Sequence, residues 1–335
     1  MNEESEILVS VPPAMALAFS DCEPHLAEDI HAFSDPESLP LGSGGGTAHV
    51  LARGWEKLSD PSTPFTQWLQ ASRKIIIHGG GQSRRLPSYA PAGKLFIPIP
   101  AFRWTRGHRV DQNLLELQRP LLEALASHAD PISRVLIASG DVLLRTSGNA
   151  LPPLPSADVV MLGLWTRPEE AQDFGVMFCD RQDPGRLICF EQKPTPDRIR
   201  ELARDYLFMI DVGVWLLSEK AVRCLMRRSG MGDDGNPFDG GETSPYELYG
   251  SWALHLGDEA IEPDDEISDL SVSVVPIPEG EFYHFGTSRD VIRSLYRLQN
   301  LVVDQTRLGA QGVQPHPRQF VQNAVFDFPL RQEEN

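Results

Sequence analysis

Between Pro61 and Val110 the chain contains no aspartate or glutamate, although the whole protein carries 47 acidic against 30 basic residues and a formal charge of −17. Other absences bound the class more broadly. The 335 residues include four cysteines, Cys22, Cys179, Cys189 and Cys224, with no CxxC pair and no histidine at metal-ligand spacing. That excludes a disulfide framework and a closed zinc site, and the thiols are expected to be reduced, as in a cytoplasmic protein. No apolar run approaches the roughly 18 residues of a membrane span. The opening MNEESEILVS lacks the basic flank of a secretory leader, so no membrane partner is expected. An excess of negative charge leaves no basic face for a nucleic acid polymer. Hydrophobic and charged fractions of 41% and 23% are those of a globular chain with a sizeable core.

The acid-free stretch holds Arg73, Lys74, Arg84, Arg85, Lys94, Arg103, Arg106 and Arg109. In so acidic a protein, fifty residues of one sign read as a focused anion site more than as a solvated basic loop. Its centre is IIIHGGGQSRRLPSYAPAGKLFIPIP (75–100). A Walker loop is excluded, because Lys94 is followed by Leu95 and Ser88 stands where the first glycine belongs. A dinucleotide fingerprint is excluded because Arg84 replaces the third glycine after Gly79 and Gly81. What remains is a buried strand, the triplet Gly79, Gly80, Gly81, a guanidinium pair and a distant lysine. Bare backbone at a strand end lets amides approach an anion. Guanidinium forks match phosphate oxygens and keep their charge at every relevant pH. The expected ligand is a polyphosphate.

Strands are expected at 74–78, 133–141, 158–165, 175–179, 187–192, 207–218, 270–277 and 282–285. Helices are expected at 110–126 (N-capped by Asp111), 197–204, 219–228, 245–255 and 289–303. Alternation of this kind predicts an α/β domain, a mixed and mostly parallel sheet flanked by helices, with ligands at the carboxyl ends of strands. LGSGGGTAHVLARGWEKL (41–58) reads as a glycine loop entering an amphipathic helix. The organisation expected is an acidic segment over 1–40, the catalytic domain over 41–310 and a tail over 311–335. Asp141, after Gly140 at a strand end, is placed either to hold Mg²⁺ near phosphates or to cap a turn. Glu191 and Lys193, two apart on one strand, share a face, and alone they read as an exposed ion pair. Tyr246, Tyr249 and Trp252 read as packing residues of the 245–255 helix.

HGGGQSRRLPSYAPAGKLF resembles the signature of the sugar nucleotidyltransferases, a Gly-Gly-x-x-x-Arg-Leu loop with a lysine about ten residues on. The wording is most similar to the GDP-fucose pyrophosphorylase (fucose-1-phosphate guanylyltransferase) family, which occurs in bacteria fused to an L-fucokinase. LGSGGGTAHVL resembles a second, upstream glycine motif of that family. The resemblance runs from about Leu41 to Phe326. It implies a Rossmann-like domain of the nucleotide-diphospho-sugar transferase type, followed by the first rung of a β-helix at VQNAVF (321–326). It also implies that GTP and L-fucose 1-phosphate give GDP-L-fucose and pyrophosphate. Arg85 takes the signature arginine position, with Arg84 one register away, and Lys94 the signature lysine. Gly79, Gly80, Gly81 and Arg84 would hold the nucleotide, with Gly44, Gly45 and Thr47 near base or ribose, and Asp141 would bind Mg²⁺. FGVMFCD, FEQKP and IDVGVW assign the sugar side to Gly175, Glu191, Lys193 and Gly213. One departure stands out: His284 occupies a second position where the superfamily has a metal-binding aspartate, leaving Asp211 and Asp290 as other candidates. A different sugar 1-phosphate or nucleotide, or a binding protein without turnover, are the alternatives. A fused or separate β-helix and fucokinase part is the partner implied.

Overall fold

The computed structural model describes residues 5–36, 39–79, 86–99, 102–103, 107–108, 112–146, 151 and 153–302. Its elements begin with β1 (Ser5–Ser10), α1 (Pro13–Cys22), β2 (Ile30–Phe33), α2 (Gly42–Leu58), α3 (Phe65–Ala71) and β3 (Arg73–His78). They continue with β4 (Phe102–Arg103), β5 (Gly107–His108), α4 (Leu114–His128), β6 (Ser133–Ser139), β7 (Val142–Arg145), β8 (Val159–Leu164) and α5 (Pro168–Ala171). Then come β9 (Gly175–Cys179), β10 (Leu187–Gln192), α6 (Pro196–Leu202), β11 (Leu207–Ser218) and α7 (Glu219–Arg228). The last are α8 (Asp265–Ser268), β12 (Val272–Pro276), β13 (Glu281–His284) and α9 (Ser288–Val302).

Nine strands form one sheet in the order β10-β9-β11-β6-β3-β1-β2, with β8 on β11 and β12 on β8. The parallel set β2, β1, β3, β6 is opposed by β11, which is in turn antiparallel to β8 and β9. β12 follows β8 and β10 opposes β9. Only β10 and β11 therefore run against the common direction, and the sheet is mixed but mostly parallel, as expected. Ile75, Ile76 and Ile77 are wholly buried. A continuous apolar run of this kind marks a strand covered on both faces. Phe19 of α1 and Leu115, Leu122 and Leu125 of α4 cover one face. Val50 of α2, Phe65 and Trp68 of α3 and Leu225 of α7 cover the other.

Four expectations are corrected. Residues 5–33, read as part of an acidic segment, supply β1 and β2, and β1 lies inside the sheet between β2 and β3. The helix expected over 110–126 begins at Leu114. Its cap is Asn113, whose side chain accepts from Glu116 N while Glu116 accepts from Asn113 N. This capping box was legible as N-x-x-E. No helix spans 245–255, where there are turns and a short 3₁₀ segment at Trp252–His255. The glycine loop of 41–47 is the first turn of α2 itself. Glycine is a poor helix former, and here packing overrides propensity. Gly44 N and Gly45 N both donate to Tyr246 O, and a Cβ on Gly45 would lie 2.6 Å from Ser244 O.

The carboxyl ends of β1, β3 and β6 meet at one rim, stitched by Gly79 N donating to Ser10 O and Gly140 N to His78 O. Leu95, wholly buried, fills the notch between Gly79 and Gly140. A Cβ on Gly79 would come 2.3 Å from Leu95 Cδ1, and one on Gly140 would come 2.9 Å from Leu95 Cδ2. Truncating a buried leucine costs about 2–5 kcal/mol. Leu95→Ala should lower stability by that order in urea unfolding, with a loss of any activity that depends on neighbouring Lys94.

At the opposite end of β3, Lys74 is wholly buried against the Trp68 ring. Its Nζ donates to Trp68 O at 2.9 Å and Ser72 O at 3.0 Å, and it pairs with Glu6 at 3.3 Å. Burial pushes its ammonium down from 10.5 to about 8, against the pull of Glu6. Between these values the unfolded chain binds more protons than the folded one, so this group makes stability rise as pH increases. Lys74→Met should flatten that rise, read as the difference in urea midpoint between pH 8 and pH 10.

Candidate active site

β11 is the strand on which the cleft is built. Its residues 214–218 pair with β6 and its residues 207–210 pair with β9. β8 takes the opposite edge of β11. Residues 211–213 thus lie between two partners, where β6 ends at Ser139 and β9 begins at Gly175. Gly213 sits there at φ 71°, a left-handed conformation that favours glycine. A cleft of about 470 Å³ opens at this gap, lined among others by Ser139, Asp141, Gly175, Lys193, Asp211 and Gly213. That size is typical of small-ligand sites.

Asp141 is the electrostatic centre. Leu95 in its notch brings Lys94 Nζ to 2.6 Å from Asp141 Oδ2, and Ser139 Oγ donates to Oδ1 at 2.8 Å. Burial alone would raise the Asp141 carboxyl, but Lys94, His284 and Ser139 outweigh it and hold it below the usual range. His284 stands between two carboxylates, Nε2 at 3.7 Å from Asp141 and Nδ1 at 3.3 Å from Asp290. Asp290 also accepts from Thr287 Oγ1 at 2.7 Å. The position where an aspartate was expected is therefore a link between two acids.

Asp211 forms the floor. It is 7% exposed, and its Oδ1 accepts from Gly213 N at 2.9 Å and Trp215 Nε1 at 3.0 Å. Burial pushes its carboxyl up to about 7 against those two donors. Tyr249, read from sequence as a packing residue, lines the cleft beside it, edge-on to Trp215 at 5.3 Å.

Two sugar-side expectations are altered. Glu191 and Lys193 do not share a face, because β10 ends at Gln192 and Lys193 turns at φ 53°. Lys193 lines the cleft, whereas Glu191 is held by Arg198 at 2.9 Å and is absent from the lining. Gly175 lines the cleft, but its missing side chain also has a packing cause, since a Cβ would lie 2.3 Å from Phe190 Cζ.

On the nucleotide side the two glycine motifs are physically joined. Thr47 Oγ1 donates to Ser43 O at 2.8 Å and lies 2.8 Å from His78 Nε2. The Thr47 hydroxyl thus bridges the first turns of α2 and the end of β3. Burial pushes the His78 imidazole down to about 4, which keeps it neutral. The amides expected to face an anion are already engaged at Gly44, Gly45 and Gly79. Gly80, Gly81, Arg84, Arg85, Asp111 and the tail over 311–335 lie outside the described residues.

Among the described residues, no helix is long and apolar enough to cross a membrane. The chain is 44% identical over 323 residues to an L-fucokinase/L-fucose-1-P guanylyltransferase of Bacteroides fragilis, covering 96% of this chain and 33% of that one. It is 33% identical over 82 residues to a bifunctional fucokinase/GDP-fucose pyrophosphorylase of Arabidopsis thaliana, 21% of this chain and 8% of the relative. It is 33% identical over 75 residues to a Homo sapiens fucose-1-phosphate guanylyltransferase, 22% of this chain and 11% of the relative. The chain thus spans a third or less of the length of each of these relatives. Residues 66–231 match the family model of the fucose pyrophosphorylase domain. The matched stretch contains β3 with the glycine triplet that follows it, Lys94, Asp141, Lys193 and Gly213.

Proposed function

We propose that the chain is a fucose-1-phosphate guanylyltransferase, joining GTP and L-fucose 1-phosphate to give GDP-L-fucose and pyrophosphate. The observation that carries this reading is that Asp141, Gly175, Lys193 and Gly213 line one cleft, with Lys94 paired to Asp141 at its edge, within a stretch that matches the fucose pyrophosphorylase domain. An oxygen of the sugar phosphate attacks the α-phosphorus of GTP. One P–O bond forms, the α–β P–O bond breaks, and pyrophosphate leaves with the electron pair. The nucleophile is already ionised near neutral pH, so no general base is needed. Catalysis rests on alignment and on cations that meet the developing charge.

Lys94 is the cation nearest this chemistry. It rests on Asp141 and leaves that carboxylate for a phosphate once the more highly charged nucleotide competes for it. Arg85 is assigned to the β- and γ-phosphates by its place in the signature, and Lys193 to the sugar phosphate by its place in the cleft. Asp211 replaces Glu191 as the acceptor for sugar hydroxyls, since Glu191 is engaged by Arg198.

Magnesium is a hard cation that keeps several waters and needs only one or two carboxylates beside substrate phosphates. Asp141 offers one such carboxylate, while His284 is a nitrogen donor and a poor ligand for this ion. Among the described residues no group of three or more His, Cys, Asp or Glu is arranged to hold an ion. The donor set fits a cation shared with the nucleotide on Asp141 and no protein-only cage. When bound, it would neutralise charge on the phosphates. The names of two relatives couple this activity to a fucokinase, and a kinase on the same or a second chain is the partner proposed.

Removing one preorganised donor or cation costs about 10²–10³ in rate. Lys94→Ala should lose that much pyrophosphate release under saturating substrates, with its melting temperature unchanged within a few degrees. Turnover within a few-fold of the parent protein removes Lys94 from the mechanism. A panel of GTP, ATP and UTP with several sugar 1-phosphates should give the highest kcat/KM for GTP with L-fucose 1-phosphate. A better pair from the same panel would overturn the substrate assignment.

A further inference from the structure

The wall of the cleft formed by α9 carries two cations that form no ion pair among the described residues. Arg289 and Arg293 both line the cleft, four residues apart on a 15-residue helix. Side chains at that spacing stack on one helix face. Neither has a partner among the described residues. Several other arginines of this acidic chain are paired with acids: Arg119 holds Asp29, Arg198 holds Glu191, Arg223 holds Asp233 and Arg228 holds Glu266; what sets Arg289 and Arg293 apart is that both line the cleft.

Three of the four acids in the lining are already committed. Asp141 is taken by Lys94, Asp290 by Thr287 and His284, and Asp211 Oδ1 by Gly213 and Trp215. Asp173 remains, exposed in the lining. A third cation enters from the β10 side. Lys193 is exposed, its side chain has no partner among the described residues, and its backbone sits at φ 53° with its amide donating to Phe174 O at 3.0 Å. A left-handed conformation in a residue other than glycine is strained, and such strain gathers at ligand-gripping positions.

We propose that Arg289 and Arg293, together with Lys193, grip the phosphate group of the incoming sugar 1-phosphate. This rests on the reading of the chain as a sugar-phosphate nucleotidyltransferase, and it adds two residues that the signature motifs do not contain. A phosphate monoester offers three equivalent oxygens, which suits two guanidinium forks and an ammonium meeting it from different walls. The sugar side is favoured over the leaving pyrophosphate by what shares the cleft. Gly175 and Gly213 line it with the arginines, whereas Gly79, Thr47 and His78 do not. The three cations also answer a physical need, since two anions must be brought into contact before the new P–O bond can form.

The test is calorimetry on the full chain with L-fucose 1-phosphate, L-fucose, GTP and pyrophosphate as separate titrants. Arg289→Gln and Arg293→Gln should each weaken L-fucose 1-phosphate roughly tenfold or more, and the double variant further. Affinity for GTP should stay within twofold, and melting temperature should not move, because both side chains are exposed. In steady state the same variants should raise KM for the sugar phosphate and leave KM for GTP unchanged. Arg293→Lys should recover part of the loss. Unaltered L-fucose 1-phosphate affinity in the double variant sinks the clamp while leaving the transferase reading intact. A loss that falls on GTP or pyrophosphate instead reassigns the arginines to the nucleotide side and equally overturns it. If the parent chain binds L-fucose 1-phosphate through these residues but releases no pyrophosphate with GTP, the clamp stands and the catalytic reading falls. If the parent chain binds no sugar phosphate, both fall.

Discussion

The site depends on one steric fit, the seating of Leu95 in the notch left by Gly79 and Gly140. Any side chain at either glycine would meet it. Burying a leucine in full stabilises by about 1.5–3 kcal/mol, and the energy is spent where it fixes the adjacent residue. Lys94 is held within 2.6 Å of Asp141 because its neighbour cannot move. Glycines that look like open backbone for a ligand are thus also sockets for packing. The same holds at Gly45, pressed on Ser244 and Tyr246, and at Gly175, pressed on Phe190. A charged pair on so short a tether needs no flexible loop to find its geometry.

The second constraint is topological. One long strand, β11, is shared along a single edge by β6 and then β9. Where the first partner leaves and the next arrives, backbone and side chains of 211–213 open to the cleft. Three sets of groups reach this opening from different parts of the chain. The end of β6 brings Ser139 and Asp141, the end of β10 brings Lys193, and the β13–α9 junction brings His284, Thr287 and Arg289. An overall charge of −17 coexists with this cationic wall because three of the four acids that line the cleft, Asp141, Asp211 and Asp290, are engaged by fixed donors.

Much of the sheet was legible because β3, β9, β10 and β11 are apolar runs bounded by charged or turn residues, and buried strands need little else. β1 was not read because its three apolar residues, Ile7, Leu8 and Val9, follow an acidic opening whose composition dominated the reading. The α2 start was misread because glycine has low helix propensity and the contacts that fix it, from 244–248, come two hundred residues later. Of the candidate site, Lys94, Asp141, Gly175, Lys193 and Gly213 do gather. The pairing of Glu191 with Arg198 was not visible, because it depends on where α6 docks and on the turn at Lys193. Asp211, named from sequence only as a candidate metal ligand, forms the floor of the cleft, and Tyr249, read as a packing residue, lines it. Arg289 and Arg293 had a signal in the spacing of SRDVIRSLYR, but only three-dimensional contact tells a lining residue from a solvated one.

α9 begins at the cleft and runs away from it for 15 residues, about 22 Å of stiff rod. Its near end is pinned by the Thr287–Asp290 cap and by Ser294 Oγ donating to His284 O. Farther along, Leu295 and Leu298 are buried with Tyr283 and Phe285, and Arg297 lies over the Tyr283 ring. The helix and the strand that carries His284 are thus packed as one unit, so Arg289, Arg293 and His284 keep a fixed spacing across the cleft wall.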